Sequence, residues 1–216
     1  MNNYIDIYCE RNNIEYWAEP INALTNIAFI FSGLILSLTI FRQNINARKD
    51  ITSWILVSLI LLIGLGSWLF HTHATTWAMI ADVTPISIFI LTYAWFALRR
   101  FVAASLWFCI LGTSSILAFS ILFQLLIKLP AGAYLGALLA MVIMGGYLFI
   151  FKKHPASYFL LLAAIIFSIS LTLRTIDEIV CESFPLGTHF MWHLLNALVL
   201  FIVTRALIMF GKHKPS

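Results

Sequence analysis

Apolar residues run along this chain in seven blocks of about 20, each long enough to cross a hydrocarbon core of roughly 30 Å as a helix. The blocks cover about residues 20–41, 51–72, 77–98, 104–127, 133–151, 156–173 and 188–210. Short polar pieces separate them: Arg42 to Asp50, a neutral connection after Thr72, Arg99-Arg100, Lys128 to Gly132, Lys152 to Pro155, and an acidic loop from Asp177 to Gly187. Residues 1–19 carry Asp6, Glu10, Glu15 and Glu19 against a single Arg11, and predict an ordered or interfacial lead-in. The pattern predicts an all-α integral membrane protein of seven transmembrane helices, built as a single domain over residues 1–216 with no room for a separate soluble one. The start, Met1 to Asp6, lacks the basic segment and apolar core of a cleavable signal peptide, so the first span is expected to stay.

Composition agrees. The 216 residues are 62% hydrophobic and 10% charged, with a mean hydropathy of +0.96, whereas soluble domains carry roughly 25% charged residues. The net charge of +4 implies no nucleic-acid partner, because the basic residues lie in short pieces between spans. Their sides are unequal. Arg42, Arg48, Lys49, Arg99, Arg100, Lys152, Lys153, Arg205, Lys212 and Lys214 fall on one side, and only Arg11, Lys128 and Arg174 on the other. Basic residues favour the cytoplasmic side, so the N-terminus is expected outside and the C-terminus in the cytoplasm.

That orientation brings two polar stretches to one level near the outer face. Ser67 and His71 lie at the outer end of the second span, Asp82 at the outer start of the third, and His189 and His193 at the outer start of the seventh. Ionisable groups in such positions are costly and mark function. Residues four apart share a helical face, which pairs Ser67 with His71 and His189 with His193. Three imidazoles with a fourth position open to water form a catalytic zinc arrangement. Asp82 could carry a proton between water and leaving group, and Ser67 could donate a hydrogen bond to a developing oxyanion. Each histidine alone is more often a hydrogen-bonded interfacial anchor than a ligand. His73, two residues from His71, points elsewhere on the helix, and His154 and His213 sit beside cytoplasmic lysines without an assigned role. A transporter would instead run polar residues through the midplane of several spans.

Ser67-x-x-x-His71, Asp82 with Pro85 three residues on, and His189-x-x-Trp192-His193 resemble the alkaline ceramidases. These belong to a group of seven-span membrane hydrolases that also takes in the adiponectin and progestin receptors. Cys9-Glu10-Arg11-Asn12 and Glu19-Pro-Ile-Asn22-Ala-Leu-Thr-Asn26 look like the ceramidase N-terminal pattern. The resemblance implies an amidase that cleaves the N-acyl bond of a ceramide-like membrane lipid, with zinc on His71, His189 and His193, Asp82 in proton transfer and Ser67 in water or oxyanion stabilisation. It calls for no obligate protein partner. A receptor-like member, binding a lipid with little or no hydrolysis, is the alternative.

The eukaryotic members also hold calcium in the N-terminal segment, and the matching positions here are Ile7, Tyr8, Glu10, Asn12 and Glu19. Ile7 has no ligand atom in its side chain, Tyr8 offers only its carbonyl, and Asp6 is one residue off. Calcium prefers six to eight oxygens, so Glu10, Asn12 and Glu19 stand either as calcium ligands or as hydrogen-bond partners tying the lead-in to the outer loops. Finally, Cys9 and Cys181 both fall on the outer, oxidising side, with Cys109 inside the fourth span, and a Cys9 to Cys181 disulfide is expected.

Overall fold

The computed structural model describes residues 3–43, 45–127, 129 and 131–211. Of the positions weighed in the sequence, Lys128, Lys212, His213 and Lys214 lie outside the described residues. Among the described residues, seven helices are long and apolar enough to cross a membrane: Pro20–Arg42, Ile51–His73, Thr76–Val102, Leu106–Ile127, Gly132–Lys152, Ala156–Ile176 and His189–Phe210. The protein is therefore an all-helical, multi-pass membrane protein. In chain order these are the first to the seventh span.

The second and seventh spans are the most deeply buried and form the centre of the bundle. Leu56, Ile60 and Ile63 of the second span, and Val203, Ala206 and Leu207 of the seventh, are nearly inaccessible. They pack with Leu36 and Ile40 of the first span and Leu160 and Ala163 of the sixth in one continuous core. Few residues of the third and fourth spans are fully buried. Exposed Phe31, Leu62, Trp107, Leu111 and Ile165 suit a lipid environment, in which an outward apolar face is solvated by acyl chains.

Two helix ends differ from the sequence expectation. The third span closes in a π turn, Leu98–Val102, and the fifth in another, Leu148–Lys152. Each is stopped by a left-handed residue, Ala103 (φ 56°) and Lys153 (φ 49°). The backbone N–H after each stop, of Ala104 and His154, returns to the carbonyls of Leu98 and Leu148, satisfying groups that a helix end leaves unpaired. The connection after Arg42 also contains a helical turn, Ile45–Arg48.

The second and third spans meet through a close approach that fixes the site. Gly66 faces the backbone of Ala81 and Asp82, and a Cβ there would stand 3.1 Å from the Asp82 Cα and would strike the Ala81 carbonyl oxygen. Pro85, buried inside the third span, brings no N–H to that same carbonyl. Glycine on one helix and proline on the other thus bring Ser67, the neighbour of Gly66, beside Asp82. Between these spans the chain reverses at Ala74, in a left-handed conformation with φ 46°. The lead-in closes over this turn: Tyr4 bridges Thr75, and the Ile5 N–H donates to the Ala74 carbonyl at 2.8 Å.

Candidate active site

His71, His189 and His193 come together from the second and seventh spans. Each is 1% exposed, and one ring nitrogen of each lies within 4.8 Å of one from each of the others. The expected four-residue spacing puts His189 and His193 a turn apart on one helical face, with ring centroids 4.7 Å apart. His71 closes the set at 4.7 Å from His193 and 5.2 Å from His189.

Two rings are held by their outer nitrogens. His71 Nδ1 lies 2.6 Å from Glu19 Oε2, so the carboxylate accepts the ring N–H and the Nε2 lone pair faces inward. His193 Nδ1 lies 2.9 Å from Thr25 Oγ1. The Thr25 hydroxyl has one proton and a carbonyl acceptor in Ile21 at 2.8 Å, which leaves its oxygen to accept from His193. Among the described residues, His71 Nε2, His189 Nδ1 and His193 Nε2 are buried without any hydrogen-bond partner. Three orphaned, convergent nitrogens are costly unless something accepts their lone pairs. That donor set suits a metal ion, and carboxylate or hydroxyl support behind a ligating histidine is the usual outer layer of such a site.

His189 is braced differently. The Tyr8 ring stacks on it with centroids 3.7 Å apart and planes 20° apart, and the Tyr8 hydroxyl accepts from Arg174 Nη1 at 3.0 Å. The Arg174 guanidinium sits 4.9 Å over the Trp192 ring, a favourable cation–π arrangement. Burial pushes the Tyr8 phenol above its ordinary pKa, against the opposing field of Arg174. It therefore stays protonated.

The start of the seventh span is capped from a distance. The buried Asp177 carboxylate accepts from the backbone N–H groups of Thr188 at 2.6 Å and His189 at 2.8 Å through Oδ1, and from Cys9 at 3.1 Å through Oδ2. It satisfies orphan donors and places negative charge at a positive helix end. Cys9 is disulfide-bonded to Cys181, with their Cα atoms 5.2 Å apart. The expected bridge is present and fastens the lead-in to the loop that precedes His189.

Asp82 faces the Ser67 hydroxyl and lies in the field of the Arg174 guanidinium. Ser67, Asp82 and His193 line one end of a cavity of about 470 Å³, whose remaining wall is almost wholly apolar and includes Phe89, Ile90, Phe119, Leu200 and Val203. The arrangement joins a polar, metal-competent end to a hydrocarbon chamber.

The other sequence candidates divide. His73 is exposed on the opposite side, against Tyr16 and Trp77, as its position on the helix implied. Of the calcium candidates, Glu10 accepts from the N–H groups of Ile21 at 2.6 Å and Asn22 at 2.8 Å. Burial raises its pKa, partly offset by those two bonds. Asn12 is exposed and accepts from Asn13 at 2.9 Å. Glu19 is spent on Arg11, Asn22 and His71. Burial would raise the Glu19 pKa, but His71 and Arg11 outweigh it and hold the carboxyl below its usual range. These bonds run to the start of the first span, to the neighbouring Asn13 and to the second span, not to an outer loop, and Glu19 reaches the histidine cluster itself. Sequence reasoning missed Tyr8, Thr25, Asp177 and Arg174 as neighbours of the cluster. All four carry some mark in the sequence, Thr25 in the N-terminal pattern, Tyr8 among the calcium positions, Asp177 in the acidic loop and Arg174 in the charge tally, but none of these marks points to the histidines.

No curated protein matches the chain. A family model described as Ceramidase matches residues 4–215. From the lead-in over the site to the end of the seventh span, the chain belongs to the ceramidase family, hydrolases acting on the amide bond of ceramide.

Proposed function

We propose that the chain is a zinc-dependent intramembrane amidase that releases fatty acid and sphingoid amine from a ceramide-like lipid, working as one unit over its whole length. The observation that carries the reading is the convergence of three partnerless buried ring nitrogens at the polar end of an apolar cavity. His71, His189 and His193 would hold the ion. A zinc ion there supplies Lewis-acid polarisation of the scissile carbonyl and lowers the pKa of water enough for attack at neutral pH.

The protein's own groups do the rest. Asp82 takes the proton from the attacking water and returns it to the departing amine, a role worth about 10²–10⁴-fold in rate. Ser67 donates a hydrogen bond to the oxygen that gains negative charge. The apolar chamber takes hydrocarbon, and its burial orients the amide toward the histidines. Glu19 and Thr25 fix the rings of His71 and His193, and Tyr8 stacks on the third.

The site belongs at the outer face in this reading, with the N-terminus outside and the C-terminus cytoplasmic. The supports are the basic bias of the opposite end and the disulfide at this end, a bond of oxidising compartments. Stripping the purified protein with a strong chelator should abolish fatty-acid release from ceramide, and zinc alone should restore it. Full activity after verified removal of zinc would defeat the reading.

A further inference from the structure

The calcium expected from the family's eukaryotic members does not fit the residues present. Both Glu19 oxygens already hold donors: Arg11 Nε on Oε1, and His71 Nδ1 at 2.6 Å with Asn22 Nδ2 at 3.0 Å on Oε2. The Glu10 carboxylate spans two backbone N–H groups at the start of the first span, and Asn12 and Ile7 are exposed. Six to eight oxygens are not free to converge there.

A cation already stands at that point. In the sequence Arg11 has a place in the charge tally and the N-terminal pattern but no role, yet its side chain is 1% exposed and ion-paired to Glu19. Its Nη2 also donates to the backbone carbonyl of His71 at 2.8 Å, and its Nη1 to the Asn13 carbonyl at 3.4 Å. One guanidinium therefore holds His71 twice, through its carbonyl at the C-terminal end of the second span and, through Glu19, by its ring. The first contact satisfies a carbonyl that a helix end leaves unpaired and puts positive charge where the helix dipole favours it. The second gives a buried carboxylate the countercharge without which its burial is costly. A guanidinium offers five donors, no acceptor and a permanent charge, so it excludes a second cation instead of recruiting one.

We propose that Arg11 is a built-in replacement for the calcium ion, a positioning residue that holds Glu19 on His71, and that this ceramidase neither binds nor needs calcium. The proposal rests on the zinc reading for the role of His71, but its calcium claim does not. In purified wild type, calcium analysis after chelation and readdition should find none bound. Millimolar calcium and a calcium-selective chelator should leave the thermal midpoint and the rate of ceramide hydrolysis unchanged. Arg11→Ala should weaken zinc about 10–100-fold in chelator competition, the range for lost support behind a ligand, and should alter the visible spectrum of the cobalt-substituted protein. Arg11→Lys, which keeps the charge and loses the fork, should fall between.

A stoichiometric calcium ion in wild type, or a calcium-dependent rise in its midpoint or rate, overturns the proposal. So does an Arg11→Ala protein with wild-type zinc affinity. Should Arg11→Ala fail to fold, Arg11→Lys and the wild-type calcium measurements still decide. If wild type binds no zinc, the proposed function falls, and the calcium measurements alone judge Arg11.

Discussion

The two ends of the bundle use charge in opposite ways. At the histidine end Arg11, Glu19, Asn22, His71, Asp177, His189 and His193 are all buried, and each is bonded to a residue distant in sequence or aimed at the cluster. At the other end Arg42, Arg48, Lys49, Arg99, Lys152 and Lys153 are exposed. The described ion pair there is Arg100 with Asp50, a fork of two bonds at 2.7 Å. Exposed cations serve orientation through their number and side, so one can stand for another. Buried polar groups have no water to fall back on, and each must be matched to a particular partner. Charge is a count at one end and a geometry at the other.

That contrast ranks the effects of substitution. Asp82→Asn should have the largest effect on catalysis, lowering ceramide turnover by about 10²–10⁴-fold while bound zinc, measured by mass spectrometry, stays at the wild-type level. Loss of zinc in the same variant would make Asp82 a ligand or a support for one. Asp177→Ala comes next, because it strands the backbone donors of Cys9, Thr188 and His189. At about 1–3 kcal/mol for an unsatisfied buried group, a clear drop in thermal midpoint is expected, accompanied by loss of turnover as His189 loosens.

Gly66→Ala should cost about 1–3 kcal/mol, the usual range for overpacking, since the methyl meets the Ala81 carbonyl. Its signature is a fall in turnover larger than the fall in zinc affinity, because the strain separates Ser67 from Asp82 before it reaches the histidines. Arg100→Gln marks the opposite end. With the side chains of the pair only 12% and 9% exposed, it should lower the thermal midpoint by leaving the Asp50 carboxylate without that countercharge, yet leave zinc content and turnover unchanged. A catalytic defect in Arg100→Gln would erase the distinction between the ends.

Much of this was legible in the sequence, for local reasons. Seven apolar blocks declare spans by length alone, and the His189–His193 spacing declares a shared helical face. Asp82 stood out because a carboxylate inside an apolar run needs a reason to be there. The supports of the site did not stand out, because they are pairings across the chain. Thr25 and His193 are 168 residues apart, as are Cys9 and Asp177, and nothing in the pattern around Thr25 or Asp177 marks a partner. Glu19 was visible as a carboxylate but not as the partner of His71, since the lead-in had no helical period from which to read its direction. The endings of the third and fifth spans were hidden for another reason: the left-handed stops fall on Ala103 and Lys153, where the usual glycine signal is missing.

The central claim is that His71, His189 and His193 hold the ion on which hydrolysis depends. Its most direct test is zinc content and fatty-acid release from ceramide, measured on the same preparations of wild type and His193→Ala. Wild type should hold one zinc per chain, and the variant should lose both zinc and fatty-acid release. A wild type that hydrolyses ceramide without metal, or a His193→Ala protein that keeps both zinc and activity, would contradict it.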